Sequence, residues 1–286
     1  MKNNASAAGV LAALGAICIW GSSFILTKNL LNEGGPFTIT ALRLMIGLAL
    51  LLPLAWRQGF DFKLVFNRKI IVMGISMAAA FALQNLGLQL TSAGSAALIQ
   101  AGMPAMIAIV AFGFMGEKAT WKKIGGIAFS VGGVILVTSN GATSQSDSLN
   151  GNLLVIISVV AWTVYTIEGK RVAGLATSLS VTAAVFIATV ATSLPFAIWE
   201  VASQGMPQFT LGGITVLVYL GLGASAAAFF LWNFTLSHLD TTVAGAFGNL
   251  EPVVGLLIAI LFGEQAYTVQ IAGGTMAILG VWLCNL

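Results

Sequence analysis

The sequence predicts an all-α integral membrane protein of ten transmembrane helices, built as two five-helix repeats of inverted topology. Three observations carry that expectation. Hydrophobic residues make up 58% of the chain and charged residues only 7%, whereas a soluble domain has about a quarter of its residues charged. Basic residues gather in alternate connections between the apolar runs. The second half also repeats the first. Aligning Pro252 with Pro104 brings Asn233 onto Asn85 and Ala244 onto Ala96, and a second constant offset brings Trp162 onto Trp20, Lys170 onto Lys28 and Gly151 onto Gly9.

A helix crosses the hydrocarbon core with about 20 apolar residues. Runs of that kind, punctuated by Gly, Pro, Asn and charge, lie at 8–31, 38–56, 69–90, 94–114, 121–139, 151–170, 178–199, 212–236, 242–262 and 268–285. The first is longer than a signal-peptide core and has no small-residue cleavage site, so it is expected to stay as a span. Arg57, Lys63, Arg68 and Lys69 fill the connection after the second run, Lys118, Lys122 and Lys123 that after the fourth, and Lys170 with Arg171 that after the sixth. The odd connections carry Glu33, Asp147, Glu200 and Glu264, with Lys28 the one basic residue near them. By the positive-inside rule both termini are expected in the cytoplasm. Residues 1–139 form the first repeat, the polar stretch 140–150 a linker, and 151–286 the second repeat. Five is an odd number of spans, so the second copy must insert upside down. Glycines crowd the fifth run (Gly125, Gly126, Gly132, Gly133) and the tenth (Gly273, Gly274, Gly280), which suits close helix packing or a dimer surface better than contact with cargo.

Polar side chains concentrate on particular spans. The first carries Trp20, Ser22, Ser23 and Thr27, the third Gln84 and Asn85, and the fourth Ser95 and Gln100. In the second half come Trp162, Tyr165 and Thr166, then Trp232 and Asn233, then Asn249 and Glu251. These spans are expected to line a central cavity. Each amide also has a plainer reading, a hydrogen bond to a neighbouring helix worth about 0.6 kcal/mol.

Glu251 is the most informative residue. An ionisable group at bilayer mid-depth costs about 2.5 to 3.5 kcal/mol even on lenient scales, so it faces a bundle interior or a wet cavity. Pro252 follows it, removes a backbone donor and should bend the ninth span there. Three roles are open to Glu251: binding a cationic group, carrying a coupling proton, or bonding the loosened backbone. Arg43 is the second intramembrane charge; it either snorkels to the interface or turns inward to meet a substrate carboxylate or Glu251. Lys28 and Glu168, near helix ends, read as interfacial or gating groups.

Other classes find little support. The single histidine, His238, stands with Asp240 and without a nucleophile to complete a triad. No H-E-x-x-H pair and no G-x-x-x-x-G-K-[ST] loop occurs, so zinc hydrolysis and ATP hydrolysis are not expected. Cys18 and Cys284 both lie in apolar runs and read as small core residues, with no disulfide framework or metal site. The net charge of +3 comes from basic residues dispersed over short loops, so no nucleic-acid partner is expected.

The duplicated five-helix unit, W-G-S-S-F from Trp20 to Phe24, Arg43 early in the second span, Pro104 with Gly116-Glu117, and L-E-P at Leu250 to Pro252 with Gly263-Glu264 together resemble the EamA family of the drug/metabolite transporter superfamily. The resemblance runs from about Gly9 to Leu283. It implies two inverted repeats around a central cavity and transport by alternating access. Members of that family export amino acids and other small metabolites, and some take up nutrients. The resemblance also implies a cavity lined by spans one, three, four, six, eight and nine, with five and ten peripheral. This chain departs from a symmetric pattern where Val185 stands opposite Arg43 and where Met103 replaces the glutamate before Pro104.

The resulting expectation is a secondary active or facilitative transporter of the bacterial cytoplasmic membrane, exporting amino acids or similar small polar metabolites, without cofactor or metal. Its partners are a small-molecule substrate and membrane lipid, and it is a monomer or a homodimer. The substrate-binding candidates are Trp20, Ser23, Arg43, Gln84, Asn85, Gln100, Trp162, Tyr165, Trp232, Asn233, Asn249 and Glu251. An uptake carrier for a cationic or quaternary-amine nutrient is the alternative, and a channel or membrane scaffold a more distant one.

Overall fold

The computed structural model describes residues 2–91, 96, 99–100, 102–138, 148–261 and 268–286. Expectations attached to Ser95, to 140–147 of the linker with Asp147, and to Gly263 and Glu264 lie outside the described residues. The helices are α1 (Lys2–Leu30), α2 (Pro36–Arg57), α3 (Arg68–Leu90), α4 (Met103–Phe114), α5 (Trp121–Thr138), α6 (Leu149–Val172), α7 (Ser178–Gln204), α8 (Leu211–His238), α9 (Thr241–Phe247), α10 (Glu251–Leu261) and α11 (Thr268–Asn285). Among the described residues, seven are long and apolar enough to cross a membrane: α1 from Ala7, α2, α3, α6, α7, α8 and α11.

Helix starts follow from local chemistry. Asn67, Ser148, Thr177 and Thr210 each accept a backbone N–H from the first turn of α3, α6, α7 and α8, satisfying donors that the helix itself leaves orphaned. Pro36 and Pro104 occupy first-turn positions of α2 and α4, where the missing N–H costs nothing. Three helix N-termini are capped by a glutamate from elsewhere in the chain. Glu200 accepts from Thr38 N and Thr38 Oγ1, both at 2.7 Å, at the start of α2. Glu33 accepts from Thr210 N at 2.8 Å beside α8, and Glu117 accepts from Thr241 N at 2.7 Å at the start of α9. Each places a negative charge where the helix dipole is positive.

Glycine sets the closest helix pairs. In α5 a Cβ at Gly126 would lie 2.6 Å from the Gly280 carbonyl oxygen, and one at Gly133 would lie 2.4 Å from Ala277 N, so α5 and α11 touch backbone to backbone. The two glycine-rich runs therefore pack on each other. Between α3 and α6, Gly87 faces the Gly151 carbonyl; between α1 and α8, Thr235 Oγ1 donates to the Gly9 carbonyl at 3.2 Å. The pairing of α2 with α7, α3 with α7 and α1 with α10 completes the bundle.

Two helices depart from regularity. In α8, Leu220–Ala227 is wound as a π-helix, a feature that frequently marks functional sites. The ninth apolar run divides into α9, a 3₁₀ turn at Gly248–Leu250, and α10 beginning at Glu251. The break expected at Pro252 thus starts four residues earlier, because the proline ring obstructs the carbonyl one turn back, at Gly248. Other differences are small: α6 begins two residues before the expected 151, and α7 runs on to Gln204. Cys18 is exposed on the outside of α1, so only Cys284 is the buried core residue expected of both.

Candidate functional site

A cavity lies in the middle of the bundle. Its walls come from α1, α2, α3, α4, α6, α8 and α10, with Gln100 and Gly248 completing the lining, while no described residue of α5, α7 or α11 borders it. Its volume is about 80 Å³, and since a water's share of liquid volume is about 30 Å³ the space holds roughly three waters.

Aromatic rings form one side. The ring centroids of Trp20 and Trp232 lie 5.5 Å apart and those of Trp20 and Trp162 6.5 Å apart. Phe81 meets Trp162 edge-on at 5.2 Å, and Phe229 stacks beneath Trp162 at 5.6 Å. Two of the three indole N–H groups are spoken for: Trp20 Nε1 donates to the Ala224 carbonyl at 2.9 Å, and Trp162 Nε1 to Gln84 Oε1 at 3.2 Å. Trp20 and Trp162 therefore present apolar faces to the cavity and keep their polar edges satisfied.

Arg43 is 3% exposed and lines the same space, so it turns inward and does not snorkel. Its Nε donates to Ser225 Oγ at 2.9 Å, and its guanidinium carbon sits 4.4 Å from the Phe81 ring centroid. Among the described residues no carboxylate lies within salt-bridge distance of it. Glu251, at the start of α10, also lines the cavity. Every other described carboxylate has a partner: Glu33, Glu117 and Glu200 cap helices, Asp61 caps the short 3₁₀ helix before α3, Glu168 pairs with Arg171, and Asp240 with Lys123 at 2.6 Å. Among the described residues Glu251 is thus the one carboxylate left without a hydrogen bond or ion pair.

Nine of the sequence candidates border the cavity: Trp20, Ser23, Arg43, Gln84, Asn85, Gln100, Trp162, Trp232 and Glu251. Three do not. Tyr165, fully buried, donates to Asn233 Oδ1 at 3.3 Å, and Asn233 Nδ2 donates to Thr182 Oγ1 at 3.0 Å. Asn249 Nδ2 donates to Ser130 Oγ at 2.8 Å, tying the 3₁₀ turn to α5. Asn85 is in the lining, yet its Nδ2 donates to Thr40 Oγ1 at 3.1 Å, as Asn233 does to Thr182. Ser23 spends its hydroxyl on the Trp20 carbonyl. Gln100 differs from all of these, because its buried Nε2 has no hydrogen-bond partner among the described residues. Sequence reasoning missed Phe81 and Met103 in the lining and Ser225 behind it. Nothing sets Phe81 apart from other apolar residues of α3, and Ser225 shows its role only once α8 winds into its π-turn.

A sequence model described as the EamA-like transporter family matches residues 7–139 and 149–286. The chain is 25% identical to a protein of Escherichia coli described as a probable amino-acid metabolite efflux pump, over 96% of this chain and 93% of that one. It is 28% identical to a probable terminal-alkyne amino-acid exporter of Streptantibioticus cattleyicolor, over 73% of this chain and 69% of that one. A solved crystal structure 20% identical in sequence superposes with a TM-score of 0.81, covering 97% of this chain and 96% of that chain, which establishes the likeness of fold.

Proposed function

We propose, from the premise that this chain belongs to the EamA-like transporter family, that it is a secondary active or facilitative carrier exporting amino acids or similar small polar metabolites by alternating access. The observation that carries this reading is the unpartnered Glu251 carboxylate in a cavity that also holds the unpaired Arg43 guanidinium. A buried charge without a partner is costly, and a ligand that supplies the opposite charge removes the cost. A zwitterion does so at both ends, ammonium to Glu251 and carboxylate to Arg43, while Trp20, Trp162 and Trp232 cover its apolar body. Gln84 and Gln100 supply amides to the polar ends. Ser23, Asn85, Tyr165, Asn233 and Asn249 support the cavity through the hydrogen bonds described above. The descriptions of the two relatives, as an amino-acid metabolite efflux pump and an amino-acid exporter, agree with amino-acid cargo.

Ten spans in two inverted repeats, 1–139 and 151–286, are part of the same reading. Its support is the recurrence of contacts at equivalent positions: Asn85 to Thr40 and Asn233 to Thr182, Gly87 against Gly151 and Thr235 against Gly9. Location in the bacterial cytoplasmic membrane with both termini inside belongs to the same reading, and the basic residues of the alternate connections support its orientation.

A purely cationic cargo such as a quaternary amine would meet Arg43 in the same cavity as Glu251, which argues against the uptake alternative. Quenching of tryptophan fluorescence by L-amino acids, with choline as competitor, tests the choice. Saturable quenching by amino acids that choline does not displace supports the export reading, and quenching by choline alone overturns it.

A further inference from the structure

We propose that Ser225 positions Arg43 for a carboxylate and that the Gln100 amide completes the same anion-binding end of the cavity, an inference that rests on the amino-acid reading above. Within the π-segment of α8, Ser225 is fully buried and accepts the Arg43 Nε–H at 2.9 Å, while Phe81 lies against the guanidinium at 4.4 Å. Those two contacts fix the plane of the group and occupy its Nε. The terminal Nη1 and Nη2 have no partner among the described residues, and they form the edge that engages a carboxylate through two parallel hydrogen bonds. Within the same π-segment the neighbouring Ala224 carbonyl accepts from Trp20 Nε1 at 2.9 Å, so adjacent residues of α8 reach α1 and α2. Gln100 Nε2 is an independent pointer, since a buried donor left unpaired in a cavity wall awaits an acceptor.

The test is binding of apolar L-amino acids and their amides to the purified protein, read by tryptophan fluorescence. Wild type should prefer each acid to its amide. Ser225→Ala should weaken the acid about tenfold or more and the amide by less than about twofold, because a hydrogen bond to a charged group is lost only where the charge is used. Ser225→Thr should restore the preference, and Gln100→Leu should likewise weaken the acid selectively. Equal weakening of acid and amide in Ser225→Ala, or an undiminished preference, overturns the positioning role alone. A wild type indifferent to the carboxylate sinks both this inference and the amino-acid reading.

A second inference rests on different contacts, at the two ends of the bundle. Lys170, near the end of α6, donates to the Leu239 carbonyl at 2.6 Å, closing α6 onto the C-terminal end of α8. The repeat places Lys28 opposite Lys170 and Thr91 opposite Leu239. The last equivalence holds in detail: both residues end a helix in an extended conformation, with Leu239 N bonded to the Thr235 carbonyl and Thr91 N to that of Gly87. Yet Lys28 is exposed and has no partner among the described residues. We infer that the two lysines are alternate clamps: Lys170 on Leu239 closes one end in this state, and Lys28 on Thr91 closes the other in the opposite state. This rests on the inverted-repeat, alternating-access reading.

Spin labels test it in a background where Cys18 and Cys284 are replaced by serine. One pair, Asn29→Cys with Leu90→Cys, reports the Lys28 end, and another, Leu175→Cys with Ser237→Cys, the Lys170 end. Two populations are expected, each short at one end and long at the other, with Lys28→Met favouring the state described here and Lys170→Met its opposite. Distances that lengthen together, or populations indifferent to both methionines, overturn the clamps. Anticorrelated distances in vesicles that carry no flux would uphold the clamps and refute the carrier reading instead.

Discussion

Replacing Gly133 with alanine isolates the contact that joins α5 to α11. The added methyl would lie 2.4 Å from Ala277 N, 2.5 Å from the Gly273 carbonyl and 3.0 Å from Ala277 Cα. All three are backbone atoms, so no side chain can rotate away and the helices must separate by about 1 Å to reach ordinary contact. Overpacking of this kind costs about 1 to 3 kcal/mol, and alanine returns up to about 1 kcal/mol through its higher helix propensity. At about 2 to 4 °C per kcal/mol, Gly133→Ala should lower the apparent Tm of the detergent-solubilised protein by several degrees. Gly125→Ala is the internal control. Its nearest neighbour would be Leu283 Cδ2 at 3.8 Å, so the methyl enters open contact and Tm should hold or rise. Equal shifts in the two variants would refute the close backbone packing of these helices.

Three further outcomes follow from the hydrogen-bond pattern. Asn233→Leu strands the buried Tyr165 hydroxyl and should destabilise by about 1 to 3 kcal/mol in chemical unfolding, with Asn85→Leu costing less, because Thr40 keeps its bond to the Pro36 carbonyl as Thr182 does to that of Ser178. Glu200→Ala strips the cap from the start of α2 and should cost about 1 to 2 kcal/mol by the same measurement, where Glu200→Gln keeps part of it. Trp20→Phe removes the donor to the Ala224 carbonyl but preserves most of the ring contact; circular dichroism should be unchanged while affinity for cargo falls.

The positions that were legible in sequence are those where a residue type is expensive in a membrane. Glu251 and Arg43 stand out for that reason, and both reach the cavity. The direction of Arg43 was not legible, because Ser225 decides it from a π-turn, and the run L-G-L-G-A-S-A-A carries no mark of i→i+5 bonding. The amides were legible as polar positions and ambiguous as to role. Asn249 and Asn233 find hydroxyls on Ser130 and Thr182, which in sequence look like ordinary members of apolar helices. The glycines of α5 and α11 announced close packing correctly, since a missing side chain is itself a statement about a neighbour's distance. Phe81 was invisible: an aromatic residue in an apolar helix has no signature that separates cavity from core.

Transport itself gives the most direct test of the central claim. Purified protein in proteoliposomes is given a radiolabelled amino-acid panel, and wild type is compared with Glu251→Gln, which keeps volume and some hydrogen bonding but removes the charge. The account predicts saturable amino-acid flux in wild type and its loss in the variant, with thermal stability nearly unchanged. Undiminished flux in Glu251→Gln would contradict the role given to the one carboxylate without a partner among the described residues, and with it the reading of the cavity.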